Sequence, residues 1–464
     1  MPLLLINRHV NHYNYKSMPA FFVGVAMALG CSCALNWSVL IIAIAFLVMC
    51  QKRLVLLCVM VLMCGYSLWR APGAPPTCQE GTFRPISAKP TQLPFKSALI
   101  VEGTFEGYPC SMCLARNAKP PLDGAYRVAG HLQGKYFKPA KKAKWEKIPG
   151  TFSFAGYRFA TKQALQAYVK RHYWPKETAD FITAISSGEL ENRMVRFFFA
   201  RLGLQHILAI SGFHFALIAL LIGWVLTKLM PIKWASALLL FMLAAYAFLL
   251  GDTPSVMRSF LMIALYLIGI LIDRKTNPLN TLGFALMVEL LYDPSHAAHL
   301  GFLLSYSATL SIFLFYKRCE SWMDYLLPAR SKEELEHFPR LDAYGYLAGS
   351  YIRRALGLNL SVHLAILPIL FACFGTFPVL SLVYNLFIPL LVTGIIALFL
   401  VGLVLPPVHA LNSCYTTWVL ELIRYPPQPW MFTLRLNGFP PWAAILLVGT
   451  LFLWGLHKKL AIPK

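Results

Sequence analysis

Charged residues are scarce in this sequence, and acidic residues are the scarcest. Only 13% of the 464 residues are charged, with 20 Asp and Glu against 42 Lys and Arg, while 58% are apolar. Because a soluble globular domain averages about 45–50% apolar and about 25% charged residues, a purely soluble protein is excluded. The excess of cations predicts an anionic partner, either the cytoplasmic lipid face or nucleic acid.

Motifs of catalysis and energy conversion are also missing. The sequence has no Gly-x-x-x-x-Gly-Lys-Ser/Thr phosphate loop, so we expect any ATP-driven step to belong to a partner. It has no His-x-His-x-Asp-His cluster for two metals, since His296-Ala-Ala-His299 has a different spacing and no carboxylate partner. No nucleophile is paired with a base. We therefore predict no enzyme activity, no metal and no cofactor.

The eleven cysteines do not show the spacing of a disulfide framework. Most of them lie inside apolar runs, where a cysteine is a small core side chain. Cys110 and Cys113 form a lone Cys-x-x-Cys, which could be a local disulfide, half of a pair with Cys78, or half of a metal site. A second such pair is missing, so the metal is the least favoured of the three.

Long apolar runs place most of the chain in a membrane. Residues 18–69 predict up to three short spans that act as anchors, and residues 206–456 contain a further series of spans. Cations in alternate loops of this series indicate the cytoplasmic side by the positive-inside rule. They are Lys228, Lys233, Arg274, Lys275, Lys317 and Arg318. The same rule then places the segment 70–201 on the outer side.

That outer segment differs in kind, because it carries 21 Lys and Arg against nine Asp and Glu. Alternating apolar residues between Ser97 and Phe159, separated by Gly and Pro, predict a small five-stranded barrel of the OB type. The fold class is therefore an α-helical polytopic membrane protein with an inserted OB-like extracytoplasmic domain. We divide the chain into anchors (1–69), the basic barrel (70–160), a helical connector (161–205) and a multi-span domain (206–464).

One stretch of the barrel segment interleaves six lysines with three aromatic residues. A cationic groove with aromatic stacking platforms is typical of proteins that bind single strands without sequence preference. The alternative is a solvated hairpin whose aromatics pack on the barrel or contact anionic headgroups. The candidate DNA-binding residues are Lys135, Tyr136, Phe137, Lys138, Lys141, Lys142, Lys144, Trp145 and Lys147.

Polar residues enter an otherwise apolar span at His206-Ile-Leu-Ala-Ile-Ser211-Gly212-Phe-His214. Intramembrane polar groups are costly and normally face a bundle interior or an aqueous cavity. Two neutral histidines that are hydrogen-bonded between helices would also explain the pattern. His206 and His214 stand about 80° apart around a regular helix, so a shared metal would require the helix to break.

This segment resembles the signature of the ComEC competence family, which comprises inner-membrane DNA-uptake channels of transformable bacteria. Four further segments agree with the family in order and spacing. They are Gly251-Asp252 with Arg258, Leu291-Tyr-Asp293-Pro294 with the run 300–309, Leu367-Pro368 with the run 374–376, and Tyr384-Asn385-Leu386 with the run 388–390. Many family members also have a metallo-β-lactamase-like domain, but its metal cluster is missing here, so no nuclease activity is expected.

The resemblance implies a channel that passes single-stranded DNA into the cytoplasm during natural transformation. It also implies a competence DNA receptor and a cytoplasmic helicase-type motor as partners. Since each nucleotide carries about one charge, the path requires water, polar groups and weak cationic contacts. The candidate channel-lining residues are His206, Ser211, Gly212, His214, Arg258, Ser305, Ser307 and Asn385.

Two other functions fit the same sequence. A secondary transporter or permease for a small or lipid-linked anion would use the intramembrane histidines as a proton relay. An assembly anchor would need the barrel and the spans, but substitution of Ser211 or His214 would be silent.

Overall fold

A computed structural model describes most of the chain. It covers residues 18–36, 38–50, 52–73, 75–76, 80–93, 96–115, 121–140, 143–190, 192–208, 210, 212–251, 253–325, 328, 330, 339–427 and 431–460.

Three apolar helices begin the described chain: α1 (Pro19–Leu35), α2 (Val39–Met49) and α3 (Arg53–Arg70). Only α3 is long enough to cross a membrane; α1 and α2 are shorter. α1 packs closely against a later helix, α11 (Pro278–Tyr292), because Gly24 and Gly283 allow the two backbones to meet. The anchors are therefore integrated into the helical domain.

A closed barrel follows, built from β1 (Glu80–Leu93), β2 (Lys96–Phe105), β3 (Tyr108–Ala115), β4 (Tyr126–Gln133) and β5 (Tyr136–Pro139). The strand order is β1-β2-β3-β5-β4, and β4 pairs back onto β1. The β3–β5 pair is parallel and the other pairs are antiparallel. This topology confirms the predicted small OB-like barrel, and β6 (Glu146–Lys147) extends it beside β4.

The strands begin and end earlier than the sequence predicted. The barrel starts at Glu80, and the aromatic alternation over residues 152–159 does not form strands. Instead, α4 (Ala155–His172) begins there, so the strand assignment for this stretch was wrong. The buried face of α4 includes Lys162 and Gln166, which conceal the helical period from an apolar pattern.

The connector continues as α5 (Lys176–Ser187), α6 (Arg193–Arg201) and the single turn α7 (Gln205–Leu208). Ten of the twelve residues of α5 are buried. These helices share an apolar core with two helices near the end of the chain, α14 (Leu380–Gly402) and α15 (Val408–Arg424). The connector is therefore packed into the helical domain along its length.

The remaining helices form the apolar body. They are α8 (Gly212–Leu229), α9 (Ile232–Leu250), α10 (Pro254–Leu271), α11, α12 (Leu300–Met323), α13 (Arg340–Phe374), α14, α15 and α16 (Pro441–Leu460). Within the described ranges, eight helices are long and apolar enough to cross a membrane: α3, α8, α9, α10, α12, α13, α14 and α16. The predicted class of a helical polytopic membrane protein with a small barrel is confirmed.

Candidate functional site

The signature segment is not one continuous helix. α7 ends at Leu208 and α8 begins at Gly212, whereas the sequence analysis treated the segment as part of one apolar span. Ser211 lies outside the described residues. A Cβ atom at Gly212 would overlap the Arg258 guanidinium and the Ser259 hydroxyl. Glycine is therefore required where α8 meets α10, because a side chain would displace the arginine.

Arg258 is held by hydroxyl groups inside the helical body. Its Nε donates to Ser305 Oγ at 2.9 Å, its Nη2 donates to Ser259 Oγ at 3.3 Å, and its Nη1 donates to Thr309 Oγ1. The guanidinium also lies over the Tyr306 ring, 6.0 Å from the centroid. No carboxylate is hydrogen-bonded directly to the guanidinium among the described residues, although the charge of Glu289 acts on it from a greater distance. The site can therefore still attract an anion.

The same network reaches a buried carboxylate. Tyr306 Oη donates to Glu289 Oε2 at 2.8 Å, and Glu289 is only 2% exposed. His296 Nδ1 lies 3.6 Å from Glu289 Oε1. The chain of polar groups thus joins α10, α12 and α11 to the short 3₁₀ helix Pro294–Ala298.

The other predicted channel-lining residues lie at different positions in the helical body. His206 is exposed, and its ring lies close to the Asn385 side chain, so these two candidates are together. His214 is buried at 1% exposure in α8. Ser307 is half-buried in α12, but two residues of a helix differ by about 200° in direction, so it does not share the face of Ser305.

The aromatic side chains of the lysine-aromatic stretch (residues 135–147) do not form one exposed surface. Phe137 is 2% exposed and stacks on Phe105 in the barrel core, with ring centroids 4.6 Å apart. Trp145 makes edge contacts with Phe83 and Tyr126. The interpretation of Phe137 as a stacking platform was therefore wrong, and Trp145 packs against the barrel.

Tyr136 remains as an exposed aromatic of that stretch, with 64% of its surface accessible. The described lysines of the stretch are exposed as well. These are Lys135, Lys138, Lys144 and Lys147. Lys141 and Lys142 lie outside the described residues.

The local disulfide between Cys110 and Cys113 is also wrong. Both are free thiols on β3, where Cys110 faces the core and Cys113 is exposed. Side chains three residues apart on a strand point to opposite faces, so they cannot meet. Burial raises the pKa of the Cys110 thiol to about 11. Cys78 lies outside the described residues, so its pairing stays a prediction.

The candidate channel-lining residues did not include four groups of the Arg258 network, namely Ser259, Glu289, Tyr306 and Thr309. Their spacing offers one signal: Ser305 and Thr309 are separated by four residues, which places them on one helical face. The contact from α11 joins positions distant in the chain and has no local signature. Among the described residues, no group of three or more His, Cys, Asp or Glu could hold a metal ion.

Comparison with known proteins gives a family match over the helical domain. Residues 190–460 match the family model described as Competence protein. A stretch of 144 residues is 31% identical to ComE operon protein 3 of Bacillus subtilis (strain 168), covering 30% of this chain and 18% of that relative. No solved structure matches the chain.

Because the family match covers more than half of the sequence, the chain belongs to the competence protein family. Because eight helices in the described part of the chain are long and apolar enough to cross a membrane, it is a multi-pass membrane protein. The predicted ComEC resemblance is thereby confirmed.

Proposed function

We propose that this protein conducts single-stranded DNA across the bacterial inner membrane during natural transformation. The barrel lies on the outer side, and the helices carry the strand to the cytoplasm. A competence DNA receptor delivers the DNA, and a cytoplasmic helicase-type motor draws it inward. The family membership supports the uptake role, and the chain acts by transport rather than by catalysis.

The observation that carries this proposal is the hydroxyl-bound Arg258 beside Gly212. A strand with about one charge per nucleotide cannot cross a dry apolar pore, and it must be able to bind and leave again. Arg258 meets both needs, because Ser305 and Thr309 hold the guanidinium in place without neutralising it. His206 and Asn385 supply a second polar group along the same helical body.

The test is uptake of fluorescent DNA by a host that lacks this protein, with periplasmic and cytoplasmic DNA followed separately. DNA that enters the periplasm but not the cytoplasm supports the proposal. Normal arrival in the cytoplasm overturns it and favours transport of a small anion instead.

Complementation of these cells with variants tests whether passage of DNA across the membrane depends on Arg258. Arg258→Gln loses the charge, and we expect uptake to fall at least about tenfold, since an arginine bound to several partners is worth more than one exposed cation. Arg258→Lys keeps the charge but cannot reach Ser305 and Thr309 together, so intermediate uptake is expected. Arg435→Gln, an exposed arginine in β8 (Thr433–Arg435), is the matched control.

A further inference from the structure

A cavity of about 480 Å³ separates the barrel from the helical body. Its walls come mainly from the strands β1–β3, the turn between β4 and β5, one face of α4, and the turn between α9 and α10. Its volume falls within the range of about 300–1,000 Å³ that ligand pockets occupy. The polar and aromatic lining residues are Ser87, Lys89, Glu102, Tyr108, Ser111, Lys135, Arg158, Phe159, Lys162 and Thr253.

The charges in this wall favour an anion, because four cations face one carboxylate. Glu102 is shared between Lys89, at 3.0 Å, and the Ser87 hydroxyl, at 2.7 Å. Within the described residues, Arg158 donates to one acceptor, the Ile86 carbonyl at 2.9 Å, and its guanidinium lies 5.7 Å from the centroid of the Phe248 ring. Because a guanidinium has five N–H donors, Arg158 retains donors that a ligand in the cavity can use.

Lys162 is a buried cation in the cavity wall, and its contacts hold the wall together. Its Nζ donates to the Leu250 carbonyl at 3.2 Å and lies 3.4 Å from Glu189 Oε1. Burial lowers the pKa of Lys162, and the nearby Glu189 opposes that shift. The Leu250 contact ties α4 to the end of α9, and the Glu189 contact ties it to the residues after α5. Together they fix the position of Arg158, which lies one helical turn before Lys162.

The barrel face in the cavity is the one that OB-type barrels use for ligands. Oligonucleotides bind such barrels on strands 2 and 3 and at the loop between strands 4 and 5. Here Glu102 on β2 and Tyr108 on β3 line the cavity, and Lys135 occupies the two-residue turn between β4 and β5. Half-buried Tyr108 and Phe159 add aromatic surfaces on which a base can stack.

The cavity also lies next to the Arg258 site. Thr253 belongs to its wall, and α10 begins at the following residue. Arg258 is four residues further, a rise of about 6 Å along a helix axis. Gly251, with φ of +87°, brings the turn within contact distance of Arg158. Arg158 in the cavity wall and Arg258 near the start of α10 are therefore successive cations between the barrel and the spans.

We propose that this cavity binds a phosphodiester group of a single DNA strand together with an adjoining base, and delivers the strand to Arg258. The inference rests on the proposed function, because it assumes that DNA reaches the barrel. Arg158, Lys89 and Lys135 contact the phosphate, while Tyr108 and Phe159 contact the base. A duplex is too wide for this volume, so the cavity selects a single strand.

The test measures binding of a fluorescent oligo-dT to the full chain in nanodiscs of zwitterionic lipid, over a range of salt concentrations. For Arg158→Gln we expect affinity to fall about three- to tenfold and the salt slope to decrease by about 0.7, the value for one phosphate contact on a single strand. Arg158→Lys should retain most of the slope. Lys170→Gln, an exposed lysine on the same helix, is the matched control.

Glu102→Gln provides a test that misfolding cannot mimic. It removes the cavity's carboxylate and frees Lys89, so we expect oligo-dT to bind about threefold more tightly. Equal affinity in Arg158→Gln, Glu102→Gln and the unaltered protein would overturn the inference. So would a loss confined to Lys147→Gln, which would place binding on the exposed lysine stretch.

Two competition experiments test whether the cavity prefers a DNA strand over other molecules that carry a phosphate group. If dTMP or vesicles with anionic headgroups displace the oligonucleotide at equal phosphate concentration, the cavity is a general anion site and the inference fails. Uptake assays separate this result from the proposed function. Normal uptake by Arg158→Gln cells alongside no uptake by cells lacking the protein would overturn the cavity alone.

Discussion

Gly212 lies directly against the guanidinium of Arg258, at the point where α8 begins beside α10. The contacts that account for each residue come from other helices, not from its own. The glycine leaves the space that the arginine fills, and the arginine extends across this space to Ser305 and Thr309 on α12. A single close contact thus connects the break in the signature segment to a charge inside the helical body.

Gly212→Ala should therefore act through Arg258. The added methyl group overlaps the guanidinium and the Ser259 hydroxyl, and overpacking of this kind costs about 1–3 kcal/mol. We expect a lower thermal unfolding temperature in detergent and a loss of DNA uptake. Gly349→Ala is the control, since nothing lies within 4 Å of that position. Unchanged stability and uptake in Gly212→Ala would contradict this account.

The barrel could be predicted from the sequence more readily than its surface. Alternation and turn residues indicated the strands, because those signals are local. They did not reveal that Phe137 points inward, since β5 has only four residues and too few alternations to show its face. Its burial depends on Phe83 and Phe105, which are contributed by strands far away in the chain.

The helical body shows the same limit. Apolar runs identified that residues 206–456 contain a series of spans, because length and hydropathy are local properties. The partners of Arg258 come from α12, and a linear pattern cannot tell which helices are neighbours. The buried Lys162 and Gln166 on α4 are a second case, since their partner Glu189 follows a separate helix.

The Lys162–Glu189 pair should be far more important for stability than an exposed pair. Glu189→Gln leaves a buried ammonium without its counter-charge, which typically costs about 3–5 kcal/mol. Asp273→Asn removes the partner of Lys233 from a surface pair and should cost at most about 1 kcal/mol. Chemical unfolding of both purified variants measures the difference. Similar losses for the two would show that the buried pair is exposed to solvent.

The two thiols of β3 should differ in reactivity. The raised pKa of Cys110, about 11, leaves about one thousandth of its thiol ionised at pH 8, and the side chain is 5% exposed. Cys113 is exposed on the opposite face. Iodoacetamide followed by peptide mass spectrometry should therefore detect rapid modification of Cys113 and slow modification of Cys110. A Cys110–Cys113 crosslink that disappears with reductant would contradict the free thiols.

Two tyrosines approach the same histidine and provide a matched pair. Tyr173 Oη lies 2.7 Å from His409 Nδ1 and accepts a hydrogen bond from Asn412 at 3.0 Å, in a buried setting. Tyr168 Oη lies 2.9 Å from His409 Nε2 but is half-buried. These contacts fasten the connector helix α4 and the residue after it to α15.

Tyr173→Phe should consequently destabilise the protein more than Tyr168→Phe does. Loss of the Tyr173 hydroxyl leaves Asn412 and one nitrogen of His409 without that partner in a buried place, at a cost of about 1–3 kcal/mol. Water can replace the Tyr168 hydroxyl, so that variant should lose no more than about 1 kcal/mol. Thermal unfolding of both variants in the same detergent measures the two losses. If Tyr168→Phe lost more stability than Tyr173→Phe, the contact between α4 and α15 would depend mainly on the half-buried Tyr168 hydroxyl instead.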